Sequence, residues 1–171
     1  MTLTIRPETS QDRAAVRHVN EAAFQSTAEP ELVEDLHESG DVVCALVAEV
    51  DGQVVGHILF SRQAIDTTTG ESRPAVSLAP MAVLPEFQKQ GIGSRLVREG
   101  LAACRNAGER IVTVLGHPAY YPRFGFSAEL ARGLDSPFDG GDAWMALELV
   151  PGTLDDVAGT VRFAEPFNKF A

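Results

Sequence analysis

A Gly-x-Gly pair, Gly91 and Gly93, stands where an apolar segment (Val76 to Leu84) gives way to a helical one (Ile92 to Ala107). Glycine lets backbone pass close to a bulky anion. The first turn of a helix offers N–H groups with no intrahelical partner and the positive end of the helix dipole. The run Gln88-Lys89-Gln90-Gly91-Ile92-Gly93-Ser94 therefore reads as a seat for a phosphate or pyrophosphate. The grip comes from main-chain N–H groups of Gly91, Ile92, Gly93 and Ser94, with Lys89, Arg95 and Arg98 adding charge nearby. A dinucleotide fingerprint would want Gly or Ala where Leu96 stands, at the start of a βαβ unit. A P-loop would want Gly-Lys-Ser/Thr, which this run lacks.

The elements that must hold this loop follow from apolar spacing. Leu3 to Arg6 alternates as a short strand, ended by Pro7. Thr9, Ser10 and Asp12 supply capping side chains for a helix through about Phe24, and Pro30 opens a second helix that stops at Gly40. Val42 to Val50 and Val54 to Ile65 read as an antiparallel pair around Asp51-Gly52, a strong hairpin turn. Asp66 to Pro74 reads as a polar loop, and Val76 to Leu84 as a third strand. In the helix after the glycines, Ile92, Leu96, Val97, Gly100, Leu101 and Cys104 line one face, while Arg95, Arg98, Glu99 and Arg105 point away. Arg110 to Leu115 is a compact buried strand, followed by a short helix over Ala119 to Arg123. Ala131 to Asp142 reads as a loop, and Trp144 to Leu149 and Gly159 to Phe163 as closing strands. The order gives an α/β chain with a mixed sheet, and 1–171 as a single domain.

A net charge of -10 argues against a nucleic-acid partner, which needs a basic face. It favours a cationic or amine substrate, although an acidic surface also serves solubility alone. No apolar run approaches the roughly 18 residues that span a bilayer, and the N-terminus lacks a secretory layout, so a cytoplasmic location without a membrane partner is expected. Cys44 and Cys104 sit among apolar neighbours as small core residues, and the four histidines are scattered, so no metal site is expected.

Three stretches carry a resemblance to a known family. The Gln-x-x-Gly-x-Gly run resembles the acyl-CoA pyrophosphate loop of the GNAT N-acyltransferase superfamily. The strand before it, Ser77 to Pro85, and the tail Ala119-Tyr120-Tyr121-Pro122-Arg123-Phe124-Gly125-Phe126 match the same family, whose ending is Tyr-x-x-x-Gly-Phe. The wording Gly-His-Pro-x-Tyr-Tyr-x-Arg-Phe-Gly-Phe is similar to a YhbS-like bacterial branch of predicted N-acetyltransferases. The resemblance implies a GNAT-like fold: a mixed, mostly antiparallel twisted sheet flanked by helices, with splayed central strands. It implies transfer of an acetyl or other short acyl group from acetyl-CoA (coenzyme A) to a primary amine of a small molecule, a protein N-terminus or a lysine. A non-catalytic CoA-binding regulatory module on the same fold is the alternative. Pairing of edge strands into a homodimer is compatible with either.

The same resemblance implies roles. Gln88, Lys89, Gln90, Gly91, Ile92, Gly93, Ser94 and Arg95 form the cofactor loop, and the pantetheine arm lies along Met81, Ala82 and Val83 through main-chain groups. Pro80 cannot donate to a ladder and is expected at a bulge that splays this strand from the Ile111 strand. Tyr121, four residues before Gly125, takes the general-acid position, with Tyr120 its adjacent competitor. A phenol with pKa of about 10 stays protonated and can protonate a leaving thiolate. For the base, His117, His57, Glu31, Glu34 and Asp35 stand open, and a water chain could replace them. Gly116-His117-Pro118 departs from the family, which often carries an Asn near that point.

Overall fold

In the computed structural model, which describes residues 2–170, the chain runs β1 (Leu3–Pro7), α1 (Arg13–Phe24), α2 (Ala28–Ser39), β2 (Val42–Val50), β3 (Gln53–Thr67), β4 (Ser72–Val83), α3 (Ile92–Asn106), β5 (Ile111–Leu115), β6 (Leu134–Asp135), β7 (Trp144–Glu148) and β8 (Gly159–Phe163). The strands order as β1-β2-β3-β4-β5-β7, with β8 beside the outer half of β3 and β6 beside β8. Pairing is antiparallel except between β4 and β5 and between β6 and β8. This is the mixed, mostly antiparallel sheet flanked by helices that the sequence implies.

The hairpin between β2 and β3 turns on Asp51 (φ 50°) and Gly52 (φ 83°), the paired positive angles that a tight turn matching strand twist requires. The expected loop from Asp66 to Pro74 is mostly strand: β3 runs on to Thr67 and β4 begins at Ser72. Its polar residues mislead because the hairpin end is largely exposed, and β8 supplies ladder partners from Gln63 to Thr67. Ala131 to Asp142 likewise contains the short strand β6.

α3 buries Ile92, Leu96, Val97, Gly100, Leu101 and Cys104, each of the six positions that its periodicity selects. They cover one face of β2 and β3 around Ala48, Ile58 and Phe60. α1 and α2 cover the other face, where Val16, Leu32, Val33 and Leu36 meet Val47 and Leu59. Each such side chain contributes about 1.5–3 kcal/mol by leaving water. Among the described residues, no helix is long and apolar enough to cross a membrane.

Candidate active site

The sheet opens at its centre. β4 and β5 pair only at Val76↔Val112 and Ser77↔Thr113, and their ladder ends there. Along its other edge β4 stays paired with β3 as far as Gly56↔Val83. Between Ile58↔Met81 and Phe60↔Leu78, one β3 residue (Leu59) faces two on β4 (Ala79 and Pro80), so the expected bulge sits at Pro80. Beyond Ser77 the edge of β4 that faces β5 carries main-chain groups with no strand partner among the described residues. Met81, Ala82 and Val83 lie on this open edge.

At the outer end of the slot stands the first turn of α3. Gly91 caps the helix at φ 85°, and a Cβ there would meet nothing within 4 Å, so conformation rather than crowding calls for glycine. Lys89 also sits at positive φ (62°), which turns the loop sharply before the helix. Gln88 folds back to donate its side-chain amide to the Val83 carbonyl at 2.9 Å, tying the loop to the end of β4. Gln90 reaches the Glu86 carbonyl at 3.4 Å. A Cβ on Gly93 would lie 3.3 Å from the Met81 methyl and 3.5 Å from the Tyr120 hydroxyl, so the glycine leaves a cradle between helix, strand and tyrosine. Arg95 is exposed and paired with Glu99 at 2.9 Å.

The two tyrosines separate. The segment expected as a short helix is a 3-10 turn, Tyr121–Phe124, because Pro122 removes a donor and Gly125 ends it at φ 103°. The main-chain N–H groups of Tyr120 and Tyr121 both donate to the His117 carbonyl, at 3.0 and 3.3 Å. Tyr120 turns outward, its hydroxyl 2.9 Å from Ser94 Oγ on α3. Tyr121 turns inward, buried edge-on against Phe126. Its ring passes so close to Gly116 that a Cβ there would come within 2.3 Å. Burial, with the neighbouring Tyr120 adding to it, pushes the Tyr121 phenol up to about 12. Arg123 stacks on the Tyr120 ring at 4.5 Å and Arg98 on the Phe124 ring at 5.1 Å, which gathers cations at the slot mouth of an acidic chain.

Sequence comparison agrees with this geometry. The family described as acetyltransferase (GNAT) domain matches residues 4–128. The chain belongs to the GNAT acetyltransferase family. It is 36% identical over 170 residues to the uncharacterized N-acetyltransferase YhbS of Escherichia coli, covering 98% of this chain and 100% of that protein. YjhQ of Escherichia coli, another uncharacterized N-acetyltransferase, is 38% identical over 166 residues, covering 91% of this chain and 88% of its own. The crystal structure of Escherichia coli YhbS in complex with CoA superposes with a TM-score of 0.91 over 99% of this chain and 93% of that one. A GNAT family acetyltransferase from Brucella melitensis in complex with acetyl-CoA, 38% identical, superposes with a TM-score of 0.82 over 98% and 99%.

Most base candidates of this GNAT chain are already engaged. His57 is fully buried beneath α1, with Nε2 2.8 Å from Glu8 Oε1 and Nδ1 3.3 Å from the Asn20 amide nitrogen. Asn20 also donates to the Val16 carbonyl at 3.0 Å, which fixes its amide group with the nitrogen toward His57. His57 Nδ1 is therefore an acceptor, and Nε2 carries the proton toward Glu8. Glu34 pairs with Arg17 at 2.6 Å, and Glu31 and Asp35 with Lys169 at 3.8 and 3.4 Å. His117 stays exposed just past the end of β5, beside the tyrosine turn. The sequence reading left out two contributors, the Ser94–Tyr120 bond and Arg123. The Arg within Tyr-Pro-Arg-Phe-Gly-Phe was the available signal for the second.

Proposed function

We propose that this protein transfers an acetyl group from acetyl-CoA to a primary amine of a small molecule, a protein N-terminus or a lysine. The observation that carries the reading is the open slot between β4 and β5, with the glycine-capped turn of α3 at its mouth. The unpaired N–H groups of that turn suit a diphosphate, and the edge of β4 at Met81, Ala82 and Val83 suits an extended arm that hydrogen-bonds like an added strand. The crystal structures of two relatives with CoA and acetyl-CoA support the same donor here. Acetyl-CoA held there would supply the activated thioester, with coenzyme A leaving as the thiolate. The chain holds the thioester and orients the amine against it.

Tyr120, committed to Ser94, belongs to the phosphate end. To Tyr121, turned inward and still protonated at neutral pH, we assign the protonation of the departing thiolate. Of the base candidates, His117 has an exposed imidazole on the rim of the slot, and we assign it the proton of the incoming amine. A thiol-release assay with acetyl-CoA and an amine panel tests the reading. Amine-dependent release is the expected result. Saturable CoA binding with no release for any amine would make the chain a binding module, and no CoA binding at all would remove both.

A further inference from the structure

We propose that Gln63, tied to Thr113 across β4, closes the inner end of the slot and by its bulk limits the transferred acyl group to two carbons. The proposal rests on the acyl-CoA reading above. The Gln88 bond to Val83 marks the phosphate end of β4. From Val83 to Ala79 the strand advances about 13 Å, at about 3.3 Å per residue, so an arm laid along it brings its thioester to the Ala79–Pro80 bulge. The acyl carbons then point to Leu78 and the apex at Ser77↔Thr113.

Both faces of the apex are closed. On the α3 face, Val76, Leu78, Val112 and Val114 are at most 3% exposed and belong to the main core. On the other face the register sets Ser61, Ser77 and Thr113 directly abreast, and Gln63 lies two residues from Ser61, opposite Ala75. Strands β3 and β5 are two spacings apart, about 9.6 Å. The small Ala75 side chain lets Gln63 lie across β4, and Thr113 Oγ1 donates to Gln63 Oε1 at 2.6 Å. Gln63 Nε2 and Ser61 Oγ are buried without partners among the described residues. Gln63 thus uses one of its two side-chain polar atoms, and an unpaired buried donor destabilises a fold. One bond anchors Gln63 to Thr113, and its length carries it over β4 directly behind the Ser77↔Thr113 apex. A third or fourth acyl carbon would have to displace it, and filled interiors resist added methylenes.

Calorimetric titration with CoA, acetyl-CoA and butyryl-CoA tests this without knowledge of the acceptor. The wild type should bind butyryl-CoA at least about tenfold more weakly than acetyl-CoA, the scale of discrimination that added methylenes bring. Gln63→Ala should narrow that ratio to about threefold or less. Gln63→Leu, of similar bulk but without the bond, should keep the wild-type ratio, which a merely structural role for the Gln63–Thr113 bond would not predict. The double variant Gln63→Ala/Thr113→Val also removes the Thr113 hydroxyl that the single variant would leave unpaired, and gives the same readout if the single variant is unstable. Equal wild-type affinities for the two thioesters, an unmoved ratio in both alanine variants, or a relaxed ratio in Gln63→Leu would each overturn the proposal. Plain CoA separates the two levels. If the wild type binds CoA and the ratio does not move, only the gate fails. If it does not bind CoA, the acyl-CoA reading fails and takes the gate with it.

Discussion

Tyr120 and Tyr121 are chemically identical neighbours with opposite surroundings, and that difference is testable. Tyr121→Phe removes the inward hydroxyl and leaves the Ser94 bond alone. Turnover should fall by about 10²–10⁴, the usual contribution of a positioned general acid, with CoA affinity retained. An unchanged kcat would remove the assignment. Gly91 is a second residue-scale case. At φ 85° with open space around it, an L-residue meets backbone strain of roughly 1–2 kcal/mol but no clash. Gly91→Val should weaken CoA binding at least tenfold, whereas Gly91→Asn, which tolerates the left-handed region, should retain most of it. Equal losses in the two variants would mean that side-chain bulk rather than conformation matters at that turn.

α3 can serve as a phosphate seat only if its whole length lies close to the sheet. Gly100 makes that approach: a Cβ there would lie 2.4 Å from the Phe60 ring, which is fully buried and cannot swing away. Gly100→Ala should lift the helix, with a loss of about 1–3 kcal/mol. The melting temperature should drop by roughly 2–12 °C. CoA affinity should fall too, because the first turn of α3 would shift against β4. A variant as stable as the wild type would show that the helix has slack. The apolar spacing of α3 was readable from sequence because the 3.6-residue period is local. The strand content of Asp66 to Pro74 was not: Ser72 to Pro74 are polar or exposed residues that pair back on Ala64 to Asp66, and Asp66 and Thr67 take further partners from β8, some 90 residues later in the chain.

The whole molecule depends on a buried polar knot that joins β1, α1, α2 and β3. The Glu8 side chain is fully buried, 2.8 Å from His57 and 3.1 Å from His37, and also paired with Arg13. Burial works to raise its pKa, but the close contacts with His37 and His57 outweigh it and hold Glu8 at about 2, below its ordinary 4.5. The Arg6 guanidinium, in a two-pronged contact at 2.8 Å, holds Asp12 low as well. The folded state thus binds these protons more weakly than the unfolded chain. The stabilisation is fully present above the ordinary pKa of each carboxylate and is lost as pH falls through the lowered value. For Glu8 it is on the order of 3 kcal/mol, lost between about pH 4.5 and 2. Urea unfolding from pH 7 to 3 should show the decline, and Glu8→Gln should be less stable at pH 7 and flatter across that range. A wild-type curve with no acid decline would leave the knot without a stabilising role.

The sequence alone determined the alternation of strands and helices, the Asp51-Gly52 hairpin, the buried stripe of α3 and the glycine-punctuated turn before it. Each of these is set by backbone preference and apolar period within a few residues, so neighbours in the chain suffice to specify it. Only the tertiary structure decided which tyrosine turns inward, where β4 leaves β5, why His57 is occupied, and that Gln63 spans a strand to reach Thr113. Those outcomes depend on register and close approach between segments 26 to 50 residues apart, as between Ser94 and Tyr120 or Gln63 and Thr113. No local pattern encodes them, because a side chain's neighbours across a sheet are chosen by how all the strands pack together.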